Sequence, residues 1–127
     1  MTKELLEAVA GRMAEYGLPY QYEIYSTDGK LPDLYFVGHC SSSPVTTEDG
    51  RMSGTFLLTG IGTRWSTLED AHAKIRDAFP RVSGFYQIKN GVYAIAIHYQ
   101  SALAVPMDDA KIKKLQINLN YQEWSVM

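Results

Sequence analysis

Between Ile112 and Trp124 apolar and polar residues alternate almost without interruption. Leu115, Ile117, Leu119 and Tyr121 occupy one parity, and Lys114, Gln116, Asn118, Asn120 and Gln122 the other. A two-residue period of this length belongs to a half-buried β-strand, because a helix would scatter the same residues around its axis. At ~3.3 Å per residue the segment would reach about 43 Å, whereas a compact domain of this size should be roughly 36 Å across. Such a strand must bend, carry a bulge or project beyond its own domain, and projection would hand its edge to a neighbouring molecule. One of its faces is oily. The other is neutral and polar, which suits plain solvent exposure and equally suits a wet lumen that must not hold a passing polyanion.

The 127 residues are expected to form a single domain, 1–127, with one real core and no linker. A formal charge of −2 and a pI near 5.9 leave no basic footprint for gripping a phosphate backbone, which disfavours dedicated nucleic-acid binding. The single cysteine cannot form an internal disulfide and is compatible with a reducing cytosol. Lys3, Glu4 and Glu7 interrupt any apolar leader, and no stretch approaches the ~20 apolar residues of a membrane span. The expectation is a protein made inside the cell, with no membrane partner.

Along the chain, Thr2 is placed to cap a first helix with Leu5, Leu6, Val9 and Met13 as its apolar stripe, stopped at Gly17-Leu18-Pro19. Gly11 inside it suggests a close crossing over the sheet. Tyr20, Tyr22 and Ile24 alternate as a first strand, Asp28-Gly29 turns, and Leu34 to Val37 form a second strand closed by Gly38. His39 to Arg51 reads as a loop or an extended hairpin tip, a candidate contact region that includes Pro44 and Val45. A third strand carries Met52, Phe56, Leu58 and Gly60 on one parity. Ser66 and Glu69 fit a capping box for a second helix, whose face is Leu68, Ala71, His72, Ile75 and Phe79 and which Pro80 stops. Asn90-Gly91 predicts a hairpin between Phe85–Ile88 and Val92–Ile97. Gln100 to Ala110, with Val105, Pro106 and Met107, reads as a long connection before the final strand. The predicted class is α+β: about six strands in a mostly antiparallel or mixed sheet, with two helices packed on one face.

The residues that carry chemistry are sparse. His39 and Cys40 adjoin, but neighbours on a strand point to opposite faces, so the imidazole cannot take the thiol proton. His72 shares an apolar helix face, where a boundary histidine with a backbone partner is the expectation. His98 has no ligand neighbour at metal spacing. Gly60-Ile61-Gly62 before a helix hints at a phosphate site, yet lacks both the third glycine of the dinucleotide fingerprint and the Lys-Ser or Lys-Thr of a phosphate-binding loop. Those glycines are read as permitting a twist where the strand leaves the sheet. No catalytic residue, cofactor or metal is expected. Arg64 and Trp65 are residue types that anchor interfaces, although Trp65 would serve equally as a hydrophobic staple beside Ser66. Lys111, Lys113 and Lys114 either protect a strand edge or meet an acidic partner surface.

Several segments together resemble the tail-completion, or tail-terminator, proteins of long-tailed bacteriophages and prophages. They are Leu34-Tyr35-Phe36-Val37-Gly38, the acidic turn Thr47-Glu48-Asp49-Gly50, the strand Ser53 to Gly60, Trp65 to Glu69 opening a helix that Phe79-Pro80 closes, and Lys113-Lys114-Leu115-Gln116-Ile117-Asn118-Leu119 followed by Glu123-Trp124. The likeness runs from about Leu34 onward. It implies a structural virion protein rather than an enzyme: a homo-oligomeric ring, usually a hexamer, on the head-proximal end of the tail tube. Such a ring stops tube polymerisation and presents the head-joining surface. The implied partners are other copies of the chain, the tail tube protein and the head-tail connector, with DNA only passing through the lumen. Its implied place is the head-tail junction of the virion, and the host cytoplasm during assembly. The candidate interface residues are Pro44, Val45, Arg64, Trp65, Val105, Met107, Lys111, Lys113 and Lys114. Two alternatives stay open, a head-side connector or stopper and a small-molecule-binding α+β module using the Gly60 to Ser66 turn.

Overall fold

The computed structural model describes residues 3–40, 45–46, 51–89 and 93–125. The elements run α1 (Lys3–Glu15), β1 (Tyr20–Tyr22), β2 (Leu34–Cys40), β3 (Val45–Thr46), β4 (Arg51–Gly62), α2 (Trp65–Ala78), β5 (Phe85–Lys89), β6 (Tyr93–Val105) and β7 (Lys113–Ser125). They form an α+β fold with one mixed sheet in the order β1-β2-β4-β7-β6-β5, and β3 extends the β2 side along β4. Among the described strands only β1 and β2 pair in parallel. Both helices lie on the same side of the sheet, α2 over β4 and β7 and α1 against β1 and α2.

The last strand in sequence is the middle strand in space. β4 pairs with β7 from Arg51↔Trp124 to Gly62↔Lys113, and β6 pairs with its other side from Tyr93↔Ser125 to Val105↔Lys114. The long alternating segment therefore has no free edge, which rules out projection among the three outcomes its length allowed. Its length is accommodated by equally long neighbours, with one bulge on β6 between Tyr99 and Ser101. This placement also removes edge protection as a role for Lys113 and Lys114, since both sit on an interior strand.

Side-chain alternation divides the sheet into two faces. Leu115, Ile117, Leu119 and Tyr121 join Phe36, Phe56, Leu58, Ile95 and Ile97 beneath Leu5, Val9 and Met13 of α1 and Leu68, Ala71 and Ile75 of α2. Three glycines on this core face make room for aromatic rings. A Cβ at Gly38 would lie 2.6 Å from the Tyr20 hydroxyl and 2.7 Å from Phe56, one at Gly54 2.6 Å from the Tyr121 hydroxyl, and one at Gly60 2.6 Å from Phe36. Gly38 is thus interior to β2 rather than its end, and Gly60 serves close packing rather than a twist at the sheet exit.

Helix α1 ends as its sequence predicts. Gly17 adopts φ +69°, and the amides of Gly17 and Leu18 donate to the carbonyls of Ala14 and Met13, the two-bond arrangement of a Schellman cap. The expected capping residue Thr2 lies outside the described residues, as does the Asn90-Gly91 turn between β5 and β6. Gly11 points to solvent, and a Cβ there would meet nothing within 4 Å, so no close crossing requires it. β1 is shorter than the tyrosine alternation suggested. Glu23 takes φ +66°, the Ile24 amide donates back to the Tyr22 carbonyl, and Ile24 is left 74% exposed. Helix α2 starts at Trp65 with Arg64 as its cap in extended backbone and no side-chain capping bond. Ser66 already lies inside the first turn, which excludes both the Ser66–Glu69 capping box and the staple role for Trp65. The connection expected from Gln100 to Ala110 is shorter too, because β6 continues through its bulge to Val105.

Candidate assembly surfaces

The second face of the sheet carries Ser53, Thr55, Leu57, Thr59 and Ile61 of β4, Gln116, Asn118, Asn120 and Gln122 of β7, and Ala96, His98, Ser101 and Leu103 of β6. None is an Asp, Glu, Lys or Arg; the nearest such residues of the same parity are Arg51 and Lys114, near opposite ends. Among the described residues no helix covers this face. Asn118 Nδ2 donates to Ser101 Oγ at 3.2 Å, so even the polar row is partly tied across strands. The 23–33 loop reaches over one corner, where the Tyr25 ring packs tilted against Tyr35 at 4.9 Å and Gln21 clasps the backbone of Ser26.

Beneath that corner is a cleft of about 370 Å³ lined by Lys30, Leu31, Pro32, Asp33, Tyr35, Ile61, Gly62, Thr63 and Ile112. Its wall is mainly apolar, and Arg64, His72 and His98 are absent from it. Gly62 and Thr63 belong to the turn singled out for a ligand-binding module.

Seven of the nine candidate interface residues gather at one end of the sheet. Gly62 pairs with Lys113 and Val105 with Lys114, so Arg64 and Trp65, which follow β4, share that end with Met107 and Lys111 in the 106–112 connection. Trp65 is 40% exposed and Met107 41%. The turn is held by the Asp109 carboxylate, which accepts from the Lys111 amide at 2.9 Å, and by the Lys113 ammonium, which donates to the Ala110 carbonyl. Val45 belongs to the opposite end, where β3 pairs with Ser53 and Met52. Pro44 lies outside the described residues. Twelve residues of β4 separate the two ends, about 40 Å of strand.

Groups with chemical potential are tied into structure. His72 is buried, with Nε2 2.8 Å from the Tyr99 hydroxyl and Nδ1 3.4 Å from Glu69 Oε2; its partners are side chains rather than the expected backbone. Cys40 faces the core while His39 faces the open side, and burial pushes the Cys40 thiol above its ordinary range, opposite to what a nucleophile needs. Beside it, buried Glu123 accepts a short hydrogen bond from the Tyr93 hydroxyl. No group of three or more metal-ligating side chains occurs among the described residues. No helix of the described residues is long and apolar enough to cross a membrane.

Leu103 was missed by the sequence reading because it fell in a presumed connection; it is 63% exposed on β6. The signal was the uncharged run Ser101-Ala102-Leu103-Ala104-Val105 before Pro106.

No family model matches the chain, and no curated protein matches it. A solved structure that carries only a serial designation is similar over 100% of this chain and 99% of its own, with a TM-score of 0.68 and 16% identity. At that identity the likeness establishes the fold alone.

Proposed function

We propose that this chain is a ring-forming structural protein of a long-tailed phage, capping the head-proximal end of the tail tube. The observation that carries this reading is the uncovered sheet face without a formal charge between Arg51 and Lys114. Turned toward a channel, such a wall hydrates through Gln, Asn, Ser and Thr and offers a phosphate backbone no row of cations on which to condense. The helices then face outward. The end that carries Arg64, Trp65, Met107 and the lysines supplies large exposed side chains suited to a neighbouring protein surface. A ring of this kind would bind the last tube layer by matching a tube subunit's surface and stop growth by presenting a different one above it.

The test adds purified protein to the polymerising tail-tube subunit of its phage or prophage and measures tube lengths by electron microscopy. Tubes should stop short, with a ring at one end. Unchanged tube growth would refute the terminator role, and capture by the portal complex instead would assign the chain to the head-side stopper.

A further inference from the structure

The sheet has two incompletely paired margins, and they are located at opposite ends. On one side β5 accompanies β6 only from Tyr93 to Ile97. Just beyond, the Phe79 carbonyl accepts the Tyr99 amide and Arg81 donates to the Gln100 carbonyl, closing that part of the margin. From Ser101 to Val105 no described strand pairs with the outer edge of β6. This segment has none of the devices that protect an edge: it carries no charge and no proline, and the bulge lies before it. Leu103 is 63% exposed at its centre. On the other side, β1 runs along β2 from Phe36 to Gly38, whereas β3 pairs with β4 and has no described strand on its outer side.

We infer that residues 101–105 of β6 receive the β3 edge of a second copy of this chain, joining sheets edge to edge around the ring. The inference rests on the ring reading above and names the contact that closes it. Three features favour a second copy over a foreign strand. First, each molecule holds both halves, one margin to give and one to receive, which is the heterologous contact a ring requires. Second, β6 runs opposite to β3 within the sheet, so copies related by rotation about an axis bring the two together antiparallel, the better hydrogen-bonded arrangement. Third, the offset has the right size. Residue 103 is level with Thr59 of β4 through Gln116, and β3 is level with Met52 and Ser53, an offset of roughly 20 Å along the strands. Four strands per copy, β3, β4, β7 and β6, span about 19 Å across. The strands would then tilt by about 45–50° to the ring axis, near the 35–45° at which closed sheets settle.

The test is residue-resolved hydrogen exchange on the full chain, dilute and concentrated, alongside sedimentation. Amides within 101–105 and 45–46 should slow together by about tenfold or more in the assembled fraction. Leu103→Lys, at an exposed position, should keep the monomer's thermal stability and weaken self-association about tenfold or more. Assembly with unchanged exchange at 101–105 would overturn the inference while leaving a ring built on other contacts. Absence of self-association, or protection at 101–105 only after another protein is added, would overturn the second copy as occupant. If Leu103→Lys blocks assembly yet the wild-type chain leaves tube growth untouched, the strand joining stands and the tail-terminator reading falls.

Discussion

Gly60→Ala tests whether the Gly60-Ile61-Gly62 segment is packing space rather than a phosphate loop. The added Cβ would lie 2.6 Å from Phe36 Cε1 and 3.1 Å from Leu68 Cδ2, and both side chains are fully buried. Ordinary carbon contacts sit at about 3.5–4.0 Å, so the Phe36 ring must retreat by roughly 1 Å. A fully buried ring packed over Gly60 has little freedom to do so. Overpacking of this kind costs about 1–3 kcal/mol, partly offset by the ~0.4–1 kcal/mol that alanine contributes by restricting the unfolded chain. A net loss of about 1–2 kcal/mol follows. For 127 residues the unfolding entropy is about 0.27 kcal/mol/K, which converts that loss to a Tm drop of about 4–8 °C. Circular dichroism during thermal and urea unfolding reads it directly, and added nucleotide should not move the midpoint of the wild type. A Gly60→Ala variant as stable as the parent, or a nucleotide-dependent rise in Tm, would refute the packing account.

Gly11→Ala should have the opposite sign, raising stability by up to about 1 kcal/mol, because the site is helical and its Cβ would meet nothing; a loss in the same thermal assay would contradict the exposed placement. Arg12 donates to the Ala78 carbonyl at 2.9 Å and lies over the rings of Tyr16 and Phe85, so Arg12→Ala should lower stability by about 1–2 kcal/mol in urea. Arg12→Lys should recover little of that, because an ammonium lacks the planar stacking. Tyr99→Phe removes the hydroxyl beside buried His72 and should cost about 1 kcal/mol by chemical denaturation. Since burial raises the Cys40 thiol, alkylation at pH 8 should be at least about tenfold slower in the native protein than in urea and should accelerate as pH rises. Equal rates would show an accessible, ordinary thiolate.

The sequence disclosed elements whose signals are local and regular. The two-residue period of β7 assigned its residues to faces correctly, and Gly17-Leu18 marked the end of α1. It failed where one residue served a distant need. Gly38 looks like a strand end but is a gap beneath the Tyr20 and Phe56 rings. The bulge beyond Tyr99 shifts the parity of β6, so Ala102 and Ala104 fall out of phase with Ile95 and Ile97, and small residues before Pro106 resemble a loop. Arg64 caps α2 without a side-chain bond, leaving Ser66 as a false start. Sheet order had no local signal at all, which is why edge protection stood as one of two readings for lysines that flank an interior strand. The clustering of Trp65, Met107 and Lys111 at one end follows from pairings between strands far apart in sequence.

The central position of β7 also has a consequence for biosynthesis. β4 and β6 are both translated before the strand that separates them, so neither has its main partner while ribosomes are still adding residues 113–125. A nascent chain must hold two long apolar ribbons apart for seconds, at synthesis rates of about 5–20 residues per second. Premature zippering of β4 onto β6 would exclude the late arrival. Chaperone dependence during translation, rather than slow refolding of the finished polypeptide, is where this topology should be most vulnerable.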